Sequence, residues 1–152
     1  MALEGLNRLQ VYQEAMALAK YIYREVIPCI PSEEKWGLAS QIRRSAASIP
    51  ANIAEGYGRY YYQEGIRFCY LARGSLMELS SHIELACAQE YFPQGLENQF
   101  QNQMSTLLKI MNGHIKYLKE SKRGANEPGS QGFSEINSGY SVGSEDTNTE
   151  RN

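Results

Sequence analysis

The residue types that could do chemistry are few in this chain, and their spacing does not suit catalysis. The two histidines are His82 and His114. A di-iron site in a helical bundle takes Glu-x-x-His motifs from two helices, whereas Leu79 and Met111 stand three residues before these histidines. Glu78 and His82 are four residues apart and could share a zinc ion, but two ligands make a weak site. We predict no metal and no cofactor.

Two short motifs that could bind phosphate or carry a nucleophile fit structural roles better. The stretch Gly56-Tyr57-Gly58 lacks the further glycine of a dinucleotide-binding loop, because Tyr61 stands in its place, and no strand precedes it. Ser75 follows Gly74 but lacks the flanking glycine of a nucleophile elbow and sits in the middle of a predicted helix; two histidines with one aspartate, Asp146, give no convincing triad. We predict that the chain is not an enzyme.

Basic and aromatic residues form a more suggestive pattern. Arginine forks bind phosphate and aromatic rings stack on unpaired bases, so their mixture suits single-stranded or looped RNA. The candidate nucleic-acid contacts are Arg43, Arg44, Arg59, Arg67 and Arg73, and the last three are interleaved with Tyr57, Tyr60, Tyr61, Tyr62 and Tyr70. Glutamates of the same region could instead pair with these arginines within or between subunits: Glu55, Glu64, Glu78 and Glu84. Both interpretations stay open at this point.

Four helices must position these residues. Apolar residues of the first 123 positions recur at spacings of three and four, and hairpin signals are missing. The predicted helices run from about Asn7 to Ile27, from after Ser32 to Tyr57, from about Tyr61 to Gln89 and from near Pro93 to about Ser121. Short connections between long amphipathic helices favour antiparallel neighbours. The predicted fold is therefore all-α, an antiparallel up-down-up-down four-helix bundle over residues 1–123.

Several local features follow from the same spacing rules. Asn7 and Ser32 are predicted N-caps, and the core stripe of the first helix is predicted at Leu9, Tyr12, Met16, Ala19, Tyr23 and Val26. Pro50 should kink the second helix, or break it so that it restarts with Ser48 as a cap. Gly56 and Gly58 are expected to end that helix in a left-handed turn.

The composition predicts a second region of the chain and the cellular compartment. Residues 1–123 hold 14 Lys and Arg against 12 Glu, a net charge of +2, whereas residues 124–152 hold one Arg against five acids, a net charge of −4. The latter segment is rich in Gly, Ser and Asn, and we predict a disordered acidic tail. Three cysteines without a CxxC pair indicate reduced thiols, and no apolar run of 18 residues or signal peptide is visible. We expect a soluble, cytoplasmic protein that contacts no membrane.

Two motifs resemble a known family. The stretch RRSAASIPANIAEGYGR, from Arg43 to Arg59, resembles the helix-two signature of the 23S rRNA intervening-sequence proteins and departs from it chiefly at Ser45. ARGSLMEL, from Ala72 to Leu79, matches the family's helix-three signature. The resemblance covers roughly residues 5–120. It implies a left-handed four-helix bundle that forms a ring-like homopentamer and is encoded in some bacteria within an insertion of the large ribosomal RNA gene.

More distant similarity extends to the accessory variability proteins of diversity-generating retroelements, which are similar pentamers that bind a reverse transcriptase and nucleic acid. The resemblance thus implies a non-catalytic oligomeric scaffold associated with RNA or DNA, or else a pentameric adaptor between proteins, for example for a reverse transcriptase. Neither association implies an enzymatic activity.

Overall fold

The computed structural model describes residues 2–122, and its helices make one bundle. The α-helices are α1 (Ala2–Arg8), α2 (Gln10–Tyr21), α3 (Leu38–Gly58), α4 (Tyr62–Ala88) and α5 (Leu96–Ser121). A π-helical turn at Ile22–Val26 and a 3-10 turn at Ile27–Cys29 extend α2, and another 3-10 turn occupies Ser32–Glu34. No strand occurs within residues 2–122. The predicted all-α class is confirmed; the predicted acidic tail lies outside the described residues.

The four long helices pack in a closed cycle, each against two neighbours: α2 with α3, α3 with α4, α4 with α5, and α5 with α2. Contacts between α3 and α4 run in opposite directions, since Ser48 bonds Ser75 whereas Arg44, earlier in α3, meets Glu78, later in α4. This is the antiparallel arrangement that short connections favour. The core between the helices includes the fully buried Leu18, Ile49, Leu76, Leu79, Phe100 and Met111.

The first helix differs from its prediction in both its start and its buried stripe. The chain is helical from Ala2, extends at Leu9, and resumes at Gln10, so Asn7 caps nothing and its carbonyl accepts the Gln13 side chain at 2.7 Å. The buried residues are Val11, Ala15, Leu18, Tyr21, Ile22 and Val26. Of the predicted stripe only Val26 is buried. Two adjacent faces of this helix are apolar, and periodicity alone cannot choose between them.

The start of α3 uses a different cap from the predicted Ser32. Ser32 opens the 3-10 turn and makes no capping hydrogen bond. The backbone N–H of Leu38, the first residue of α3, donates instead to the Glu34 carboxylate at 2.9 Å. A carboxylate at this position accepts a hydrogen bond from an otherwise unpaired N–H and interacts favourably with the positive end of the helix dipole.

Helix α3 continues through Pro50 and ends without a left-handed residue. Ser48 is not a cap: its hydroxyl oxygen lies 3.2 Å from the Ser45 carbonyl oxygen, and its own carbonyl accepts the Asn52 side chain. The predicted left-handed turn is wrong, because Arg59 is extended and Gly95 is the one glycine of residues 2–122 with positive φ. Gly56 serves close packing instead, as a Cβ there would lie 2.8 Å from Phe68 Cβ.

Candidate nucleic-acid interface

Arg59 lies in the short connection between α3 and α4, held by residues of both helices. Its Nη2 pairs with Glu55 Oε1 at 2.7 Å, and its Nε lies 4.0 Å from Glu64 Oε2. The guanidinium also sits over the Phe68 ring, 5.3 Å from the centroid, a cation–π geometry. The absence of a side chain at Gly56 lets α4 come close enough to supply Phe68 and Glu64. The packing of α3 on α4 therefore fixes this arginine.

Arg67 shares a carboxylate with Arg59. Its Nη1 lies 3.7 Å from Glu64 Oε1, on the other oxygen from the one facing Arg59. The Glu64 side chain is only 15 % exposed, whereas that of Arg67 is 69 % exposed. Exposed ion pairs of this kind are worth about 0–1 kcal/mol. The glutamate thus holds two guanidinium groups near each other while leaving most of Arg67 open to solvent.

Tyr70 and Lys119 continue the same surface from α4 onto α5. Tyr70 follows Arg67 by three residues, which places the two side chains on neighbouring positions of the helix. Lys119 Nζ donates to the Tyr70 hydroxyl at 3.4 Å and lies 6.0 Å from the centroid of its ring. Lys116, one turn earlier on α5, is exposed and pairs only loosely with Glu120 at 4.0 Å. Cations of two helices therefore flank an exposed aromatic ring.

Arg73 lies one turn beyond Tyr70 on α4 and is exposed. Within residues 2–122 it has no ion pair. We name as the basic face the set of exposed residues that these contacts and spacings bring together: Arg59, Arg67, Tyr70, Arg73, Lys116 and Lys119. Three of the five arginines predicted from the sequence belong to it.

Arg43 and Arg44 lie elsewhere on the bundle. Arg43 precedes Arg59 by 16 residues, which is about 24 Å along a helix axis. It is half-buried and donates from Nη1 to the Lys35 carbonyl at 3.4 Å. Arg44 is 73 % exposed and lies 3.5 Å from Glu78 of α4. The structure therefore does not gather the five predicted arginines into one surface.

The five tyrosines interleaved with these arginines lie in different environments. Tyr57, Tyr60 and Tyr70 are exposed, whereas Tyr61 and Tyr62 are half-buried. Tyr60 and Tyr61 pack edge to face with centroids 5.4 Å apart. The Tyr57 hydroxyl abuts the place that a Cβ on Gly5 would occupy, so this ring packs against α1. Tyr70 contacts a cation of the basic face, Lys119.

The lysines of α5 are the residues that sequence reasoning missed. Helix α5 holds no Lys or Arg before Lys109 and then carries Lys109, Lys116 and Lys119, with Lys122 just beyond its end. This concentration of charge was visible in the sequence. Its proximity to Tyr70 was not, because it depends on the antiparallel packing that sets Leu118 against Gly65.

The charge of the bundle is divided along its length. Residues 74–108 hold four glutamates and no Lys or Arg. They form the later part of α4, the connection and the early part of α5, at the end opposite to the basic face. The carboxylates of this region affect a neighbouring thiol: burial, then Glu97 and Glu84, raise the pKa of Cys87 to about 11. The α4 and α5 side of this end is thus acidic, whereas Lys35, Arg43 and Arg44 lie at the same end on the α3 side.

Groups with catalytic or metal-binding potential remain isolated. Glu78 Oε1 lies 3.5 Å from His82 Nε2, but within residues 2–122 no three His, Cys, Asp or Glu side chains gather as metal ligands. The Ser75 hydroxyl donates to the Leu71 carbonyl and accepts from Ser48. No described helix is long and apolar enough to span a membrane.

Fold and surface together define an all-α bundle protein with a basic face formed by α4, α5 and the α3–α4 connection. The family model described as "23S rRNA-intervening sequence protein" matches residues 7–113. The chain belongs to this family, as the two sequence motifs predicted. A search of curated proteins finds no match.

Proposed function

We propose that the protein is a non-catalytic, oligomeric scaffold that binds RNA through its basic face. The observation that carries this proposal is the set of exposed cations on the α3–α4 connection, α4 and α5, of which Lys119 contacts the exposed ring of Tyr70. Lysine and arginine bind phosphate, and an exposed ring offers a stacking platform for an unpaired base. The family is named for a ribosomal RNA intervening sequence and not for a reaction.

Oligomerisation would multiply a modest charge. The net charge of residues 1–123 is only +2, which is small for a tight nucleic-acid binder, but several copies in a ring would present several basic faces. We propose a homopentamer, of about 86 kDa from five chains of 17.2 kDa. The exposed small residues Ala47, Ala51 and Gly58 on α3 would permit close approach of another subunit. Native mass spectrometry tests this, and a stable monomer would exclude the ring.

The test of RNA binding is a salt titration with the full chain. Fluorescence anisotropy with an RNA stem-loop that carries an unpaired loop gives the affinity at several KCl concentrations between about 50 and 300 mM. In this range the release of counterions dominates the salt dependence of binding. The double variant Arg67→Gln/Lys119→Gln should lower the slope of log affinity against log salt by about 1.4, since each phosphate contact to single-stranded RNA contributes about 0.7.

The matched control removes two positive charges at the other end of α3, in the double variant Lys35→Gln/Arg44→Gln. It should leave the slope within experimental error of the wild type. Equal losses in the two variants would show that binding is not localised on the basic face. Absence of salt-sensitive binding to any tested RNA or DNA at tens of micromolar would overturn the proposed function.

The alternative is a pentameric adaptor between proteins, for example for a reverse transcriptase, without direct contact to nucleic acid. The ion pairs favour it, because Glu55, Glu64 and Glu78 occupy guanidinium groups of Arg59, Arg67 and Arg44. Purification from the native host with nuclease treatment separates the two functions. A stoichiometric protein partner that survives the nuclease supports the adaptor, whereas its loss supports the RNA scaffold.

A further inference from the structure

A groove lies at the end of the bundle opposite to the basic face, between the turn that precedes α3 and the last turns of α4. It has a volume of about 390 Å³ and is lined by Glu34, Leu38, Gln41, His82, Leu85 and Gln89. The Glu34 carboxylate is fixed there, because it caps the N–H of Leu38 at 2.9 Å and lies 3.5 Å from the Tyr91 hydroxyl. The walls of the groove therefore belong to well-packed elements.

One large apolar side chain stands exposed on the wall of this groove, and a second stands exposed in the turn that contributes to it. Leu85, on its wall, is 50 % exposed, and Trp36 is 83 % exposed and lies midway in sequence between the lining residues Glu34 and Leu38. Trp36 is the one tryptophan of the chain, and its described contact is with the Lys35 ammonium, 5.1 Å from the ring centroid. Burial of a large apolar side chain stabilises a complex, and tryptophan is enriched among the residues that dominate the binding energy of protein interfaces.

The charged residues around the groove indicate which charge a binding partner should carry. The flanking segments 33–36 and 84–91 contain Glu33, Glu34, Glu84 and Glu90 against Lys35 alone. Burial, then the carboxylates of Glu34 and Glu33, raise the pKa of the Tyr91 hydroxyl, which lies 3.5 Å from Glu34 Oε1. Arg43 reaches back to the Lys35 carbonyl, and Arg44 is paired with Glu78. Carboxylates therefore outnumber cations around the groove, which favours a partner of positive charge.

We propose that this groove is a docking site for a cationic segment of a partner protein, in which an apolar residue packs between Trp36 and Leu85 while Lys or Arg side chains face Glu33, Glu34 and Glu90. Apolar anchors supply the binding energy and the surrounding charges supply specificity and speed of association. This docking site is about one bundle length from the basic face, so the protein would hold a protein partner and an RNA at opposite ends. The proposal does not require the RNA-binding function to be correct.

A selection experiment identifies the occupant without assuming it. The full chain is presented to a random library of peptides of about 16 residues, and enriched peptides are titrated while the Trp36 emission is recorded. We expect enriched peptides to carry net positive charge with an apolar anchor and to shift the Trp36 emission to shorter wavelength as the ring is buried. Enrichment of neutral or acidic peptides, no enrichment, or binding that leaves the emission unchanged would overturn the proposal.

Variants localise the contact. Leu85→Gln should weaken the enriched peptide at least tenfold, and Glu33→Gln/Glu90→Gln should weaken it several-fold at low salt and little at high salt. Met77→Gln is the control, because Met77 is a comparably exposed apolar residue of α4 that does not line the groove; it should bind like the wild type. Equal weakening by Met77→Gln and Leu85→Gln contradicts docking in the groove.

Two other occupants give distinct signals in the same assay. A Trp36 shift that appears on raising protein concentration without peptide would mean that a second copy of this chain covers the groove. A shift on adding RNA alone would mean that this end contacts nucleic acid. Either result overturns the proposal of a cationic protein segment.

Discussion

Gly56 of α3 and Gly65 of α4 face each other where the two helices meet. A Cβ on Gly56 would lie 3.2 Å from the Gly65 carbonyl oxygen and 2.8 Å from Cβ of Phe68. The absence of a side chain therefore sets how closely the backbones approach. The same approach brings Phe68 under the Arg59 guanidinium. One packing contact thus determines both the closure of the bundle and the position of a basic side chain.

Gly56→Ala should destabilise the bundle. The added methyl group meets backbone and Cβ atoms that cannot move independently, and such overpacking costs about 1–3 kcal/mol. Chemical denaturation measures the unfolding free energy. Gly113→Ala is the control, since within residues 2–122 a Cβ there meets no atom inside 4 Å. It should stabilise α5 by up to about 1 kcal/mol, and equal effects of the two substitutions would contradict the close approach.

The buried face of a helix could be predicted where only one face is apolar. In α5 the buried Phe100, Leu107 and Met111 recur at spacings of seven and four. In α2 the predicted Tyr12 is half-buried while Val11, next to it in sequence, is in the core. Both positions fit a spacing of three or four residues. The choice between them depends on where α3 and α5 lie, which is tertiary information.

In the basic face, too, some residues could be grouped from the sequence and others only from the tertiary structure. Arg59, Arg67 and Arg73 are close in sequence and could be grouped by inspection. Lys119 is 49 residues from Tyr70 and joins that group only through the antiparallel packing of α5 on α4. Conversely, Arg43 belongs to the same motif as Arg59, but the length of α3 separates the two. Sequence proximity is a poor guide to a surface when α3, α4 and α5 are about 30–40 Å long.

The thiols of Cys69 and Cys87 should react with iodoacetamide in a fixed order at pH 8. Burial raises the pKa of Cys69 to about 11, and burial with the Glu97 and Glu84 carboxylates raises that of Cys87 to about 11. The thiolate is the reactive form, so the raised pKa slows the reaction of both thiols to a similar extent. Cys69 is buried and Cys87 is half-buried, and Cys87 should therefore be modified first. Mass mapping of the time course checks this, and denaturant should abolish the difference.

Stability should fall as the pH is lowered through the range in which His114 gains a proton. Burial lowers the pKa of His114 below its usual value of 6.5, so between those two values the unfolded chain binds more protons than the folded one. Linkage then makes the unfolding free energy decrease from pH 7 downward. Denaturation curves between pH 7 and about pH 5.5, above the range where carboxylates titrate, measure the slope. His114→Gln should reduce it, and an unchanged slope would contradict the effect of burial on this histidine.

Removing the glutamate that Arg59 and Arg67 share should strengthen RNA binding. In Glu64→Gln the amide is neutral, so both guanidinium groups lose a competing carboxylate at 3.7–4.0 Å and become more available to phosphate. Affinity for the RNA stem-loop should rise several-fold at low salt, and anisotropy measures it. Glu78→Gln is the matched control: it makes the same change in net charge but frees Arg44, which lies outside the basic face. An equal gain in the control would mean that net charge alone governs binding, whereas a loss in Glu64→Gln would mean that RNA is not bound by these two arginines.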